Sequence, residues 1–283
     1  MTGSAKRITI IRRRSGWFDL NLGRTWEHRD LLFLFALRNI KVRHKQTLLG
    51  PGWLFLQPLV WTAVFTATIS GLAGVSTANQ PAPLFYLSGL IVWSYFSQVI
   101  FATSQVFIEN EHLFNKVYFP RIIVPLSSLI SSAAALLIQF AIVLVFLTAF
   151  QWMGKTDGVS WRILLFPLVV LHLAAFSLGL GLVLGASTAK YRDLGFMTAF
   201  LVQVAMFVTP VLYPFSAIPE QFRAVASLAN PLAAIVEESR WCLLGESMLT
   251  PGQFLASLFT TGVVLAFGVL LYQRVERNVM DTI

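Results

Sequence analysis

QTLLGPGWLFLQPLVWTAVFTATISGLAGVSTANQPAPLFYLSGLIVWSYFSQVIFATSQVFI occupies positions 46–108, between Lys45 and Glu109, and its 63 residues include no Asp, Glu, Lys or Arg. Because an α-helix needs roughly 20 apolar residues to cross about 30 Å of hydrocarbon, this stretch is long enough for two crossings. Pro81 and Pro83 divide it, since proline removes a backbone donor and stops a helix. The stretch therefore predicts two membrane-spanning helices joined by a short turn.

Four later runs also lack these charged residues and are longer than one crossing. They contain 33, 27, 26 and 27 residues and lie between Arg121 and Lys155, Arg162 and Lys190, Asp193 and Glu220, and Glu246 and Arg274. With 56% hydrophobic and only 12% charged residues, the chain is not a soluble enzyme. The runs lack the alternation of a barrel strand, so we predict an all-α integral membrane protein. Six spans are expected, at about 54–75, 84–107, 124–150, 163–188, 196–213 and 254–272.

The distribution of Lys and Arg predicts the orientation, because these residues favour the cytoplasmic side of short loops. Placing both termini in the cytoplasm puts seventeen of the 21 Lys and Arg residues inside. Thr2 and Ile283 are then cytoplasmic and Asp157 is outside. The net charge of +8 follows from this topology and requires no nucleic-acid partner. No cleavable signal peptide is predicted, because the only early apolar stretch, 31–37, runs directly into Arg38.

The N-terminal region divides into a basic tail, 1–24, and an amphipathic interface helix expected at 25–50. Apolar residues recur in this helix at helical spacing: Trp26, Phe33, Leu37 and Ile40. Lys and Arg flank them, which is typical of a helix lying on the inner membrane face among anionic lipids. An ordinary solvated helix is the alternative. The remaining divisions are the six-span domain, 51–275, and a cytoplasmic tail, 273–283.

A segment at 109–122, between the second and third spans, is too polar for the bilayer and too apolar for a plain solvated loop. Leu113, Phe114 and Val117 can share a helical face, and Pro120 ends the helix. Such a helix would present an apolar patch with a polar rim to a cytoplasmic partner. The alternative is that it packs beneath its own bundle.

The segment 214–250 is the longest expected outer loop, and its pattern indicates two short helices. One begins at Pro219 and stops at Asn230, and the next begins at Pro231 and stops at Gly245, which follows the preference for Pro at helix starts and Gly at helix ends. Both are too short to cross a membrane, although they carry many apolar residues. They predict a re-entrant hairpin or gate. Two helices lying flat on the outer leaflet are the alternative.

Patterns for catalysis and metal binding are lacking. The segment 149–156 fits a relaxed phosphate-loop pattern, but its bulky Phe150 and Trp152 after a membrane helix do not suit a loop that wraps phosphates. No Asp, Glu, Lys or Arg lies within the six predicted spans, so acid/base pairs and ion relays lack their usual side chains there. His172 is the titratable exception and is expected to be a packing residue more often than a proton relay. Cys242 is the single cysteine, and no Cys/His cluster has metal-ligand spacing.

Aromatic residues are the remaining positive feature, with 24 Phe, 8 Trp and 6 Tyr. Sugar rings present apolar C–H faces that stack on aromatic side chains, so an aromatic passage would guide a polysaccharide without binding it tightly. The alternative is that these rings face lipid or pack between helices. A polar path around Gln98, Gln105 and Gln203 would then line the passage. The candidate channel residues are Trp61, Phe65, Trp93, Tyr95, Phe96, Phe200 and Phe207.

Four separated motifs occur in a fixed order along the chain. They are KVRHKQTLLG at 41–50 with Trp53, Gln57 and Pro58; Asn110 with KVYFPR at 116–121, Pro125 and Leu126; KYRDL at 190–194; and TPVLYP at 209–214 with Ile218, Pro219, Asn230, Pro231 and Arg240. Together they resemble the permease subunits of type-2 ABC exporters for bacterial polysaccharides, the group that handles O-antigen, capsule and wall teichoic acid. The order and spacing of four motifs make this resemblance more specific than any one of them.

The resemblance implies a homodimeric channel joined to two copies of a separate ATP-hydrolysing subunit in the bacterial inner membrane. ATP and Mg²⁺ would bind to that partner, so this chain is expected to have no cofactor, no metal and no catalytic residue. The implied substrate is a lipid-linked polysaccharide, most readily O-antigen. The residues implied in docking the ATPase are Glu109, Asn110, Leu113, Phe114, Lys116, Val117, Tyr118, Phe119, Pro120, Arg121, Tyr191, Arg192 and Asp193. Those implied in the outer gate are Tyr213, Pro214, Pro219, Asn230, Pro231 and Arg240.

Other classes of function stay open at this stage. A membrane-embedded transferase of glycan or lipid assembly would need an acid, a His or a nucleophile near a bilayer surface, and Glu109, Glu111, His112 and Asp193 have such positions. An ion-coupled carrier is disfavoured by the charge-free spans and by the lack of a detectable internal repeat. An exporter of the same fold for a small lipid or drug is a further alternative.

Overall fold

The computed structural model describes residues 22–45, 47–116, 119–191, 193–245 and 249–282, and within these ranges the chain forms helices and no strand. The α-helices are α1 (Leu22–Glu27), α2 (Arg29–His44), α3 (Trp53–Phe65), α4 (Ala82–Ser104), α5 (Val106–Glu109), α6 (Glu111–Lys116), α7 (Ile123–Trp152), α8 (Phe166–Lys190), α9 (Leu194–Val208), α10 (Glu220–Ala229), α11 (Pro231–Leu244) and α12 (Pro251–Thr282). Short 3₁₀ helices lie at Gly50–Gly52, Trp161–Leu165 and Phe215–Ala217. Thr2 and Ile283, whose cytoplasmic location is a prediction, lie outside the described residues.

Five helical segments of the described chain are long and apolar enough to cross a membrane. They are Gly50–Leu72, Ala82–Ser104, Ile123–Trp152, Trp161–Lys190 and Pro251–Glu276. They coincide with five of the six predicted spans and confirm an all-α membrane protein. The span predicted at 196–213 is shorter in the structure, because α9 has 15 residues and is about 22 Å long. The number of crossings therefore stays a prediction.

The bundle is built around α4. Sixteen of its 23 residues are buried, and it contacts α3, α7, α8, α9 and α11. The largest apolar cluster of the described chain accordingly joins residues of α4, α7, α8 and α11. Side chains on the one face of α4 that this cluster does not cover are the ones available to line a passage.

Glycines allow α8 to pack closely against its neighbours. A Cβ atom at Gly179 would lie 2.6 Å from the Leu265 Cα atom, and a Cβ atom at Gly268 would meet the Gly179 carbonyl group. A Cβ atom at Gly185 would likewise lie 2.6 Å from the Thr103 carbonyl oxygen. Lipid tails are as apolar as leucine, so close approach through small residues replaces the hydrophobic effect as the driving force between membrane helices. The α4, α8 and α12 helices therefore form the closely packed part of the bundle.

The geometry of α3 is less regular than that of the other long helices. Pro58 lies inside it, and proline cannot donate the backbone hydrogen bond to the preceding turn. The helix then continues as a π-helix over Thr66–Leu72. Pro58 and Thr62 are its only buried residues. The α3 helix is thus loosely attached to the bundle on most of its surface.

The N-terminal helix α2 packs against α7, with Phe35 and Ala36 buried. Trp26, Phe33 and Leu37 remain exposed, at 70%, 55% and 56%. An exposed apolar row on a cationic helix suits the predicted position at the inner membrane face. The interface helix expected at 25–50 is therefore divided into α1 and α2, and its contact with lipid stays a prediction.

The outer segment forms the two helices that the proline and glycine pattern predicts. Gly245 ends α11 with φ +85°, a left-handed conformation that suits glycine at a helix end. The α11 helix is packed between α4, α8 and α12, and 11 of its 14 residues are buried. It is therefore not a helix lying flat on a surface. In contrast, α10 exposes Phe222, Val225 and Leu228.

Candidate substrate passage and its two ends

A cavity of 450 Å³ lies between α2, α3, α4, α7 and α9. Its walls combine three indole rings, neutral polar groups and one cation: Trp53, Trp61, Trp93, Ser94, Gln98, Gln139 and Arg43. On α4, residues 93, 94, 97 and 98 share a face because side chains three or four positions apart stack on one side of an α-helix. Trp93 is 8% exposed and belongs to the apolar core, whereas Ser94, Ser97 and Gln98 on the same face are half-buried.

A hydrogen-bonded polar strip runs along the α4 wall of this cavity. The Nε2 atoms of Gln98 and Gln139 each donate to the Ser94 hydroxyl oxygen at 3.0 Å, and Arg43 donates to the Gln98 carbonyl oxygen. The Gln139 Oε1 atom is buried and accepts no hydrogen bond from the described residues. The strip ties α2, α4 and α7 together.

The predicted channel aromatics divide into those that reach the cavity and those that do not. Trp61 and Trp93 line it. Phe65 packs beside them, with its ring centroid 5.3 Å from that of Trp61 and 6.1 Å from that of Tyr86. The structure thus brings together the indoles of the aromatic prediction and Gln98 of the polar alternative. Gln105 and Gln203, the other members of the polar alternative, are not part of the cavity lining.

Two of the predicted channel residues lie in the core of the chain instead. Tyr95 and Phe96 are only 2% and 4% exposed. The ring of Phe96 stacks on Phe176 of α8 with centroids 5.9 Å apart. Phe96 is three positions after Trp93, and three residues of an α-helix leave a difference of about 60° in side-chain direction. Phe96 is therefore turned from the cavity towards α8. These two residues therefore pack helices together. On α9, Phe200 and Phe207 are 66% and 64% exposed and are not part of the cavity lining.

The predicted docking segment, which is expected on the cytoplasmic side, folds partly into its own bundle. Phe114 and Phe119 are 9% and 6% exposed, and their rings lie 6.0 Å apart. The ring of Phe35 on α2 is 5.6 Å from that of Phe119. The alternative considered from the sequence, packing beneath the bundle, therefore describes these two phenylalanines. Val117 and Tyr118, predicted to share their role, lie outside the described residues.

Arg121 anchors the same segment to the C-terminal helix. Its backbone N–H donates to Glu276 Oε1 at 3.3 Å, and its carbonyl oxygen accepts from the Tyr272 hydroxyl at 3.3 Å. Its guanidinium carbon lies 5.1 Å from the centre of the Phe114 ring. Pro120, which directly precedes it, is half-buried. This arrangement fixes the segment between the second and third spans on α12.

The surface left for a partner is polar at its rim. Glu109, His112 and Lys116 on α5 and α6 are exposed, with Asn110 and Leu113 half-buried among them. Partial burial raises the pKa of the Glu109 carboxyl. At the end of α8, Tyr191 and Asp193 are exposed, whereas Arg192 lies outside the described residues. The docking role of these residues stays a prediction.

The predicted gate residues converge on the turn that follows α9. Asn230 Nδ2 donates to the Thr209 hydroxyl at 2.9 Å, and Arg240 donates to the Val211 carbonyl at 2.9 Å. The Tyr213 hydroxyl donates to the Val208 carbonyl at 2.9 Å. Pro214 and Pro231 are buried, while Pro219 is exposed before α10. The turn after α9 is therefore held by α11 from one side.

Buried charges in α11 are the feature that sequence reasoning missed. Arg240 donates to Glu237 at 2.8 Å, and the two side chains are 4% and 6% exposed. On the next face, Glu238 Oε2 lies 3.0 Å from His172 Nδ1. Hydropathy predicts an outer loop here, so charges inside the bundle are not expected from it. The spacing of Glu237 and Arg240 on an apolar helix that begins with proline is the signal that could have found them.

The described residues contain no group of three or more His, Cys, Asp or Glu side chains placed to hold a metal ion. A family model described as "ABC-2 type transporter" matches residues 30–244. The chain belongs to the ABC-2 type transporter family. All four motifs singled out from the sequence lie within the matched range.

Curated relatives of this ABC-2 transporter chain are named for the export of O-antigen or the transport of polysialic acid. An O-antigen export system permease protein RfbA of Myxococcus xanthus is 30% identical over 85% of this chain and 90% of its own length. A protein of the same name from Klebsiella pneumoniae is 25% identical over 87% and 92%. The polysialic acid transport protein KpsM of Escherichia coli is 26% identical over 87% and 93%. The resemblance to exporter permeases is thereby confirmed.

Proposed function

We propose that this chain is the channel-forming permease subunit of an ATP-driven exporter that moves a lipid-linked polysaccharide, most readily O-antigen, across the bacterial inner membrane. The single observation that carries this proposal is the cavity at α3 and α4, which Trp61 and Trp93 line together with the Gln98–Ser94–Gln139 strip. Its composition suits a sugar chain, and the named relatives handle polysaccharides.

The chemistry of the cavity matches a sliding glycan. Indole rings provide flat apolar faces for the C–H faces of sugar rings, and amide and hydroxyl groups can both donate to and accept from sugar hydroxyls. Among the described residues, Arg43 is the one cation that reaches the lining. Many weak neutral contacts let one sugar unit replace the next without a tightly bound intermediate.

We assign ATP hydrolysis, which would drive transport, to a separate partner subunit, because the sequence of this chain offers no phosphate loop in a suitable context. Two ATP-binding subunits, carrying ATP and Mg²⁺, would dock against the exposed residues Glu109, His112, Lys116, Tyr191 and Asp193. Glu109, His112 and Lys116 lie on α5 and α6, and Tyr191 and Asp193 lie in the turn between α8 and α9. The buried Phe114–Phe119 cluster behind them, joined to α12 through Arg121, would transmit movement of the docked subunit into the bundle.

A second copy of the chain is expected to complete the passage. Large apolar side chains stay exposed on two of the helices that border the cavity, including Trp53 and Phe55 on α3 and Phe200 and Phe207 on α9. Contiguous exposed apolar surface of this kind marks an interface or a lipid contact. A homodimer would place two such faces around one shared path.

Export by a single-residue variant tests the proposal. Trp61 lines the cavity and is 47% exposed, so Trp61→Leu should fold normally but lower the transfer of glycan to the cell surface, with glycan accumulating inside. Trp152→Leu is the matched control, because Trp152 is 93% exposed at the end of α7 and does not line the cavity. If the two variants and the parent export glycan equally, the cavity is not part of the transport path.

A further inference from the structure

A second cavity, of 900 Å³, lies between α8, α11 and α12 and shares no lining residue with the proposed passage. Most of its lining is apolar, including Leu168, Leu171, Phe254 and Leu258. Leu168 and Leu171 are 63% and 67% exposed at its margin. The cavity therefore opens to the outer surface of the bundle, where we expect lipid.

One wall of this cavity is polar. His172 of α8 contacts Glu238 of α11 (Nδ1 to Oε2, 3.0 Å) and Thr261 of α12 (Nε2 to Oγ1, 3.0 Å). The Ser257 hydroxyl lies 3.4 Å from the same Nε2 atom. His172, Glu238 and Thr261 all line the cavity. Three helices thus meet at one hydrogen-bonded cluster beside an apolar space.

The cluster leaves one strong acceptor unused. The Glu238 Oε1 atom is buried, and no group of the described residues forms a hydrogen bond with it. A buried carboxyl oxygen without a partner is costly, and native proteins keep few such groups without a reason. Because Glu238 lines the cavity, a ligand there can supply the missing partner.

The depth of the cluster decides which part of a ligand reaches it. His172 is six residues from the start of α8, or about 9 Å along the helix axis, and Thr261 is ten residues from the start of α12, or about 15 Å. Taking the start of each helix as the membrane surface, we expect the cluster at the level of the hydrocarbon chains, beneath the headgroups. Ionisable side chains at this depth are rare and typically functional.

We propose that this cavity binds a hydrocarbon chain carrying a hydroxyl group, with the chain in the apolar space and the hydroxyl at Glu238 Oε1. A hydroxyl can donate to an ionised carboxylate and accept from a protonated one, so it suits Glu238 in either state. A charged headgroup would lose its hydration in this space without full compensation. The ligand class is therefore a long-chain alcohol or a hydroxylated acyl chain of the surrounding membrane.

Photo-crosslinking in lipid nanodiscs tests the site. The probes are a long-chain alcohol with a diazirine in its chain and the matched diazirine alkane without the hydroxyl. We expect the alcohol to label peptides from 165–175 and 249–265 at least several-fold more than the alkane does. Glu238→Gln should keep this preference because its amide oxygen remains an acceptor, whereas Glu238→Leu should abolish it.

Two glycines of α12 supply a variant and its control. Gly262 lines the cavity, and a Cβ atom added at Gly262 or at Gly252 would meet no neighbouring group within 4 Å. Gly262→Leu should therefore fill the space and reduce labelling strongly, while Gly252→Leu leaves it unchanged. Equal labelling by both probes in the parent, or unchanged labelling of Gly262→Leu, would refute the site.

A second copy of the chain is the competing occupant of this surface. Cysteines placed at Leu168 and Leu258 report on it, because they would form a disulfide between two copies if the cavity faced a neighbouring protomer. We expect no such disulfide in membranes, and its formation would overturn the proposal. Neither measurement depends on export, so the site can be correct even if the proposed transport function is wrong.

Discussion

Arg240 and Glu237 form an ion pair with 2.8 Å between Nη1 and Oε1, in a helix that packs against three membrane-spanning helices. The guanidinium carbon of Arg240 also lies 3.8 Å from the centre of the Phe85 ring, and the group donates to the Val211 carbonyl. A single side chain therefore joins α11, α4 and the turn after α9. Desolvation of both charges makes each dependent on the other.

Removing one member of this pair should destabilise the protein. Arg240→Met leaves Glu237 charged and buried, and we expect the free energy of unfolding to fall by about 3–5 kcal/mol. Denaturant unfolding of the purified protein in detergent measures the change. Glu220→Gln is the control, because Glu220 is 90% exposed and 3.6 Å from Arg223, and exposed pairs contribute little. Equal stability of Arg240→Met and the parent would show that the pair is dispensable.

The crossing of α8 and α12 should be intolerant of one added carbon. At Gly268 a Cβ atom would run into the Gly179 carbonyl group, so Gly268→Ala should cost about 1–3 kcal/mol through overpacking. Gly252→Ala, on the same helix, has open space and should be neutral or slightly stabilising. Thermal unfolding in detergent compares the two. A Gly268→Ala protein as stable as Gly252→Ala would mean that the helices separate more easily than the structure indicates.

The Phe114–Phe119 cluster and the predicted docking surface should respond differently to alanine. Phe119 is buried in the chain's own core, so Phe119→Ala should lower the free energy of unfolding by about 3–5 kcal/mol. Tyr191 is 54% exposed, so Tyr191→Ala should leave stability unchanged and weaken copurification of the ATPase subunit, by about 2 kcal/mol if it is an interface anchor. If Phe119→Ala instead releases the ATPase at full stability, the docking core predicted from the sequence is correct.

The orientation of the chain can be tested with introduced cysteines. Cys242 is the single native cysteine and is 2% exposed, so it should not react with a membrane-impermeant maleimide. Asp157→Cys should be labelled from the outside of intact spheroplasts, and Lys116→Cys only after lysis. Labelling of Lys116→Cys in intact spheroplasts would show that the topology is the reverse of the predicted one.

Hydropathy locates the helices well because the bilayer imposes a minimum apolar length. The structure places α4 at Ala82–Ser104, where the sequence predicts 84–107, and α7 at Ile123–Trp152, where it predicts 124–150. The pattern cannot tell which face of each helix meets lipid, because lipid and protein interior are equally apolar. The sequence therefore predicts Phe96 in the passage, whereas the structure places its ring against Phe176.

The charged residues of α11 show a second limit of the sequence. A run that contains Glu237, Glu238 and Arg240 fails any test for a membrane span. Its charges become acceptable only when tertiary neighbours such as His172 and the Val211 carbonyl are in place. Such neighbours are distant in the sequence, so no local sequence pattern predicts them.

The two walls of the proposed passage, α3 and α4, differ in how firmly the rest of the bundle holds them. On one side, α4 is held by α7, α8 and α11. On the other, Pro58 and the π-helix at Thr66–Leu72 interrupt the regular hydrogen-bond ladder of α3, and only two of its residues are buried. A rigid α4 thus lies opposite a more easily bent α3. Bending of α3 can change the width available to a glycan while the rest of the fold stays assembled.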